Sequence, residues 1–359
     1  MTGQSLSEHK LGDSRFNKQR HDYLDLIKGL AIFLVIETHA REMAGTNFYG
    51  FIIKTAYYSI DRNGVLLFFL CSGALLLSRK NHDIVKVAKR CFRLIVILSA
   101  YSVITNSVYY ISHGKDIALE IKDALIYNNM ITSFNYDKAI HLWFLCSYIP
   151  LLIASPFVGL AVRSMSDRML TAFIMVLMIC GPISKVMITL GAHGFEIFNA
   201  GDNATFLMYM IFGFAIHNNR IIISKTKPVI ALVIVLSSCF ASVYCQAFMH
   251  GNSFFGKDDW RVLNNYASSI FLIPSSIFTF ILIKNLRMTS SFIEKVGRSS
   301  FGIYLIHYVI LICIFRGISE NHSLFEKYLI AMSMAIITLP ASLIAVKIIK
   351  KTGLSYLIR

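Results

Sequence analysis

Charged residues are scarce in this 359-residue chain. They make up 15% of it, whereas a soluble domain carries roughly 25%. Hydrophobic residues reach 55%, and they gather in runs of roughly 20, the length that crosses about 30 Å of hydrocarbon. This shortage of charge excludes an ordinary soluble protein and predicts an all-α, polytopic membrane helix bundle.

Acidic residues are the scarcer of the two charges, with 20 Asp and Glu against 35 Lys and Arg. A net charge of +15 would suit a nucleic-acid-binding protein, but the hydropathy of the chain excludes that class. In a membrane protein a basic excess is typical of cytoplasmic loops. We therefore expect membrane lipids, and no nucleic acid, among the partners.

Paired cysteine motifs are absent. The seven cysteines are odd in number and none forms a CxxC pair, so the sequence predicts neither a disulfide framework nor a metal site. The N-terminal region lacks an apolar segment with a small-residue cleavage site, and we expect no removable signal peptide. No repeat or low-complexity linker divides the chain. The expected organisation is a basic cytoplasmic tail (1–22), one membrane domain (23–351) and a cytoplasmic C-terminal tail (352–359).

Ten apolar segments are candidate transmembrane helices. With the N-terminus in the cytoplasm, most Lys and Arg fall on the cytoplasmic side and most Asp and Glu on the other, as the positive-inside rule requires. The sequence therefore predicts about ten spans with both termini cytoplasmic, and Pro150 and Pro156 predict a kink in the fourth. The segments are 23–40, 63–78, 92–111, 141–161, 169–190, 204–217, 228–249, 267–283, 299–315 and 328–347.

The first predicted span contains ionisable residues, in the stretch KGLAIFLVIETHA that begins at Lys28. Such groups are expensive in a bilayer and usually face a protein interior or a wet cavity. Lys28 and His39 are three helical turns apart, so they share one face at a separation of about 16 Å. Glu37 points away from that face and is expected to meet another helix. Two alternatives stay open: Lys28 could extend to the lipid headgroups, and His39 could cap the helix.

Two further stretches are notable, one inside the second predicted span and one at the start of the third. Cys71, Ser72 and Gly73 are small and permit close packing of helices. Arg90 and Arg93 lie at the cytoplasmic entry of the third span. Arginines at that depth are either topology anchors or ligands of a phosphorylated molecule.

Polar and aromatic residues also mark the fourth and ninth spans. His141 and Trp143 open the fourth span, where an interfacial aromatic belt is an equally good interpretation. Tyr304 and His307 lie inside the ninth. Because His307 is within an apolar run, it is the stronger candidate for a cavity.

Taken in order, these stretches resemble the acyltransferase-3 family of integral membrane acyltransferases. The stretches that carry the resemblance are DYLDLIKGLAIFLVIETHA, VLLFFLCSGALL, KRCFRLI, HLWFL and SSFGIYLIH. The resemblance extends from residue 20 to about 350. It is closest to bacterial members that O-acetylate surface polysaccharides such as O-antigen or enterobacterial common antigen. It implies about ten helices, in agreement with the number predicted above.

The resemblance also implies roles for individual residues. The family's motif of a basic residue, ten residues and a histidine reads Lys28-x10-His39 here. Lysine stands where arginine is usual, so the planar fork that grips phosphate is lost. His39 is implied to be catalytic, and Arg90 and Arg93 to bind acyl-CoA together with Lys28. We expect the substrate contacts from His141, Trp143, Tyr304 and His307.

The expected function is an O-acyltransferase, most simply an O-acetyltransferase, of the bacterial inner membrane. The resemblance implies acetyl-CoA as the donor, whose phosphates the basic inner residues would attract, and a lipid-linked or surface glycan as the acceptor. A neutral His39 would deprotonate a sugar hydroxyl or carry the acyl group itself. Glu37 would orient or recharge it from a neighbouring helix if the first helix is locally irregular. The choice of acceptor is expected in the outer loops 111–140, 191–203 and 250–266. An exporter or transporter of a polysaccharide or small molecule is the alternative.

Overall fold

The structure is a computed structural model that describes most of the chain. The described residues are 22–44, 51–80, 83–114, 116, 118, 139–184, 187, 201–251, 269–286, 288–315 and 322–358. All regular elements in these ranges are helices and none is a strand, which confirms the predicted all-α class. The predicted N-terminal tail before Asp22 and most of the three predicted outer loops lie outside the described residues.

Twelve α-helices are present in the described ranges, and each of the ten predicted helices has a counterpart among them. They are α1 (Asp22–Met43), α2 (Phe51–Asp61), α3 (Asn63–Leu76), α4 (Ile84–Ser112), α5 (Trp143–Ser164), α6 (Asp167–Met178), α7 (Gly201–His217), α8 (Pro228–Gly251), α9 (Leu272–Leu286), α10 (Ser291–Arg298), α11 (Ser300–Phe315) and α12 (Leu324–Lys351). Short 3-10 turns cover Ile140–Leu142, Ile222–Lys225 and Ser355–Ile358, and a π-helix covers Ile179–Ile183.

Two of these helices were not predicted, because neither contains a long apolar run. Helix α2 has 11 residues and is separated from α3 by Arg62 alone. Helix α10 has 8 residues and begins where the Ser290 hydroxyl accepts from the amide of Ile293, as an N-cap does. It meets α11 at an angle of 81°.

Five helices of the described chain are long and apolar enough to cross a membrane, or six if the bent pair α10–α11 counts as one span. The five are Ala56–Leu76, which joins the end of α2 to α3; Ile84–Ser112, which is α4; Ile140–Ser164, which is the 3-10 turn with α5; Pro228–Cys245 in α8; and Glu326–Lys351 in α12. Helix α1 is long enough, but every 18-residue stretch of it holds at least three charged residues. The predicted ten spans and the cytoplasmic placement of both termini stay predictions.

Helix α1 lies at the centre of the bundle and packs against α2, α3 and α9 to α12. Its apolar residues surround the helix, and Ile27, Ile32 and Ile36 are completely buried. A helix that is apolar on all sides is typical of a position inside the protein. Four ionisable residues of α1, Asp25, Glu37, His39 and Arg41, are therefore buried inside the protein.

Glycines allow the closest helix approach, between α3 and α7. A Cβ atom on Gly73 would lie 1.7 Å from the carbonyl oxygen of Met210, and one on Gly213 would lie 1.9 Å from that of Leu70. Any larger residue would force the two backbones apart. Of the three small residues of the second predicted span, Gly73 thus has the packing role that the sequence indicated, whereas Cys71 and Ser72 line a cavity.

Proline has different consequences in α5, which continues through it, and after α6. Pro156 lies inside α5 and has no N–H to donate to the carbonyl of Leu152; the hydroxyl of Ser155 donates to that carbonyl instead, at 2.8 Å. The predicted kink of α5 stays a prediction. Helix α6 ends at Met178 and continues as the π-helix that contains Pro182, so the fifth predicted span is not one regular helix.

Candidate active site

Three histidines from three separate elements meet beside the C-terminal half of α1. His39 belongs to α1, His141 to the 3-10 turn that precedes α5, and His307 to α11. The ring centroids are 5.5 Å apart for His39 and His307, 5.4 Å for His141 and His307, and 6.5 Å for His39 and His141. Tyr308 closes the group, stacking on His141 at 4.7 Å and meeting His39 edge-on at 5.2 Å. We call these four residues the histidine cluster.

The cluster is closed to solvent, and His39 is its most accessible histidine. His39 is 9% exposed, whereas His141 is 1% and His307 0% exposed. Neither ring nitrogen of His141 has an aligned hydrogen bond in the described chain, although the carbonyl of Leu305 lies near the ring. Buried polar atoms without partners are rare in proteins, and a catalytic role or a bound molecule is one explanation for them.

A backbone contact fixes the tautomer of His307. Its Nδ1 lies 2.6 Å from the carbonyl oxygen of Tyr304. Because a carbonyl only accepts, Nδ1 carries the proton and Nε2 holds a lone pair. Within the described residues that Nε2 has no hydrogen-bond partner, so it is free to accept from a substrate.

A carboxylate contacts His39 from one turn further along α1. Oε2 of Glu42 lies 3.3 Å from Nδ1 of His39, an ion-pair distance without the alignment of a linear hydrogen bond. The other oxygen, Oε1, accepts from Nη2 of Arg62 at 2.6 Å. The Arg62 guanidinium in turn lies over the ring of Tyr58, 4.2 Å from its centroid.

Glu37, the predicted helper of His39, lies in a different set of contacts. It is buried beside the carboxyl group of Asp61, with the guanidinium groups of Arg41 and Arg62 also near it. Arg41 is fully buried and donates to Oδ2 of Asp61 through Nε at 3.0 Å and Nη2 at 2.7 Å. Helical geometry placed Glu37 against another helix, and α2 is that helix. The catalytic role of Glu37 stays a prediction.

A basic cavity of about 420 Å³ lies beside the N-terminal half of α1. All three predicted donor-binding residues line it, and no acidic residue is among the described residues of its wall. The basic lining residues are Lys28, Arg79, Arg90, Arg93 and Arg298. Such a concentration of one charge in a concave site attracts an anionic ligand.

The cations of this cavity are held in different ways. Nζ of Lys28 lies 2.6 Å from Oδ1 of Asp25, one turn away on the same helix. Arg90 donates to the hydroxyl of Tyr148 at 3.4 Å, and Arg93 is exposed. Arginine forks that can reorient suit the bidentate recognition of phosphate.

Tyr304 connects the basic cavity to the histidine cluster. Its side chain lines the cavity, its hydroxyl donates to the carbonyl of His141 at 2.6 Å, and its own carbonyl contacts His307. Trp143 takes a different place, against Phe206 at 5.9 Å, and is not among the residues that line the cavity. The structure therefore brings Tyr304, His141 and His307 together and leaves Trp143 outside the group.

Sequence reasoning missed four residues of this site: Glu42, Tyr308, Arg79 and Arg298. Helical spacing could have found the first, since it lies one turn after His39. Tyr308 directly follows His307 in the chain. The two arginines come from distant segments and carry no local signal. No group of three or more His, Cys, Asp or Glu in the described chain could hold a metal ion.

Comparison with known proteins identifies the family of the chain. The sequence model of the acyltransferase-3 family, described as an acyltransferase domain, matches residues 21–347. No curated protein and no solved structure matches the chain. The matched region contains both the basic cavity and the histidine cluster. Since it covers most of the chain, this protein belongs to the acyltransferase-3 family of membrane acyltransferases.

Proposed function

We propose that this protein is an O-acyltransferase of the bacterial inner membrane, most simply an O-acetyltransferase. It takes the acyl group from cytoplasmic acyl-CoA and passes it to a hydroxyl of a lipid-linked or surface glycan, such as O-antigen. The N-terminal end of α1 faces the cytoplasm in this proposal, as the distribution of basic residues indicates.

The observation that carries the proposal is the basic cavity, whose wall includes Tyr304. CoA has a diphosphate and a 3′-phosphate, and five cations line the cavity. Its apolar and aromatic wall, which includes Phe68, Phe144 and Tyr148, suits the pantetheine arm. Because Tyr304 also contacts the histidine cluster, a thioester that extends past Tyr304 would approach His39.

His39 acts as the general base in the proposed reaction. Its Nε2 removes the proton of the acceptor hydroxyl while the hydroxyl oxygen attacks the thioester carbonyl. The new C–O bond forms, the C–S bond breaks, and the proton passes from Nε2 to the thiolate sulfur. The products are the acylated glycan and free CoA. His39 suits this role because it is the most accessible histidine of the cluster.

The surface polysaccharide of living cells gives the test. Cells that lack the protein are complemented with the wild type, with His39→Ala or with His322→Ala, and the purified polysaccharide is examined by proton NMR. His322 is the matched control, because it contacts a glutamate as His39 does, Glu326 at 3.7 Å, but lies outside the cluster.

The proposal predicts O-acetyl signals with the wild type and His322→Ala, and none with His39→Ala, whose level in the membrane must equal that of the wild type. Unchanged O-acetylation in cells without the protein would contradict an acyltransferase role. A fall in the amount of exported polysaccharide, with its acetylation unchanged, would favour the exporter alternative.

A further inference from the structure

At the end of α1 a cation is followed by an anion, and at the α2–α3 junction an anion is followed by a cation. Arg41 and Glu42 face Asp61 and Arg62, so that one pair is Arg41 with Asp61 and the other is Glu42 with Arg62. The N–O distance is 2.7 Å in the Arg41–Asp61 pair and 2.6 Å in the Glu42–Arg62 pair. The junction between α2 and α3 is thereby fixed to the C-terminal end of α1.

The two ion pairs differ in burial and in what else they touch. The side chains of Arg41 and Asp61 are 0% and 1% exposed, and those of Arg62 and Glu42 are 18% and 25% exposed. Of the two carboxylates, only Glu42 contacts His39. A structural ion pair needs no such contact, so the Glu42 pair has a geometry that a purely structural role does not explain.

We propose that Glu42 is the positioning residue of His39, held in place by Arg62, in the role that the sequence suggested for Glu37. The inference rests on the proposed function, because it assigns how the base of that reaction is oriented. Glu42 places its oxygen at Nδ1 of His39. A carboxylate there accepts from Nδ1–H, which leaves the lone pair on Nε2 for the acceptor hydroxyl.

Glu42 also balances the charge that forms during the reaction. When Nε2 takes the hydroxyl proton, the ring becomes an imidazolium. An adjacent carboxylate stabilises that cation and keeps the ring in one orientation, the role that the third group plays in other base-containing sites. Arg62 keeps one oxygen of Glu42 engaged, so the other oxygen stays directed at His39.

The contacts of Glu37 favour Glu42 over Glu37 for this role. Glu37 is two residues from His39, which puts the two side chains on different faces of a regular helix. Its charged neighbours include Asp61, Arg41 and Arg62. Glu42 is three residues from His39 and shares its face.

A charge exchange separates positioning from simple stabilisation. The double variant Glu42→Arg with Arg62→Glu keeps an ion pair between α1 and the junction but puts a hydrogen-bond donor at Nδ1 of His39. We expect its thermal unfolding temperature to stay near that of the wild type. We expect kcat for acceptor-dependent CoA release to fall by about 100-fold or more, the lower bound of a general base contribution, with KM for acetyl-CoA unchanged.

Nitrogen-15 NMR of labelled histidine reads the tautomer without any substrate. The His39 signal is identified by its loss in His39→Gln. The wild type should carry the proton on Nδ1, and the charge exchange should move it to Nε2, because arginine donates and cannot accept. If the wild type shows the proton on Nε2, the inference is wrong, whatever the reaction of the enzyme.

Single substitutions of Glu42 test its positioning role even if the double variant does not fold. Glu42→Asp should retain more of the wild-type kcat than Glu42→Gln, since it keeps the charge. The matched control is Glu326→Gln, which alters the other Glu–His pair, between Glu326 and His322, and should leave kcat unchanged. Equal, wild-type kcat values in Glu42→Gln and Glu326→Gln would overturn the positioning role. Wild-type enzyme that releases no CoA in the presence of acceptor would instead contradict the proposed function, and the NMR result would still decide the role of Glu42.

Discussion

The two ends of α1 carry the same kinds of residue in opposite arrangements. At the Lys28 end, cations of several helices line an open cavity whose described wall contains no acidic residue. At the His39 end, the charges are paired: Arg41 with Asp61, both fully buried, and Glu42 with Arg62, both partly buried. One end holds unbalanced charge at a surface, and the other balances its charges inside the protein.

This difference determines how each end should respond to change. Charges around an open cavity act through a summed, screened potential, so losing one should weaken binding by a modest factor. Buried groups depend on fixed geometry, and removing one leaves its partner without compensation. We therefore expect graded effects on KM at the cavity and near-complete losses at the histidine cluster.

The largest expected effect is the loss of the base. His39→Ala should lower kcat for acceptor-dependent CoA release by about 10²- to 10⁴-fold, the range of general base catalysis. A thiol-reactive dye reports the released CoA. KM for acetyl-CoA should stay near the wild-type value, since His39 does not line the cavity. His322→Ala should have the kcat of the wild type. A similar fall of kcat in that control would show that the loss in His39→Ala is not specific to the histidine cluster.

The next effect is on stability. Asp61→Asn removes the carboxylate charge that accepts two hydrogen bonds from the fully buried guanidinium of Arg41, which should lower the free energy of unfolding by about 3–5 kcal/mol. Denaturation in detergent micelles measures it. Asp167→Asn, at the exposed pair with Arg220, should change the free energy by at most about 1 kcal/mol. Equal changes in the two variants would show that burial does not distinguish these pairs.

Cavity arginines should give a smaller and graded effect. Arg79→Ala and Arg93→Ala should each raise KM for acetyl-CoA by about fivefold, which corresponds to about 1 kcal/mol of binding free energy, with kcat unchanged. Rising salt should raise KM of the wild type more than that of the variants. The control is Arg168→Ala, an exposed arginine outside the cavity lining. A kcat loss without a KM change would contradict donor binding in this cavity.

The smallest effect is expected for Lys28→Arg. The substitution keeps the charge beside Asp25 and adds a planar fork that can grip phosphate, so KM for acetyl-CoA should fall by about twofold at most. Lys28→Met, which removes the charge and keeps the length of the side chain, should raise KM. If arginine and methionine weaken binding equally, the cavity requires a lysine ammonium and not merely a cation.

Local sequence features predicted α1 well, because its apolar run and its polar residues are both local. Helical spacing also indicated that Glu37 would meet a neighbouring helix. That the neighbour is Asp61 depends on how α2 folds back along α1, and the sequence of α2, FIIKTAYYSID, contains no run long enough to predict a span. Long-range contacts of this kind have no signature in the spacing of either segment.

The convergence of His39, His141 and His307 was only partly predictable. Each was a candidate because an ionisable group in or beside an apolar run is costly without a protein environment. Their common location depends on α11 and on the turn before α5 reaching the same depth along α1, which periodicity does not specify. Helix α10 was missed for a related reason: its 8 residues are shorter than any window that detects a membrane span.

One kinetic comparison tests the central claim, that the cavity binds the donor and the cluster performs the transfer. The rate of CoA release is measured against acetyl-CoA concentration, at saturating glycan acceptor, for the wild type, Arg93→Ala and His39→Ala. Arg93→Ala should raise KM and keep kcat, and His39→Ala should lower kcat and keep KM. The reverse pattern, or an Arg93→Ala enzyme with both constants unchanged, would contradict this claim.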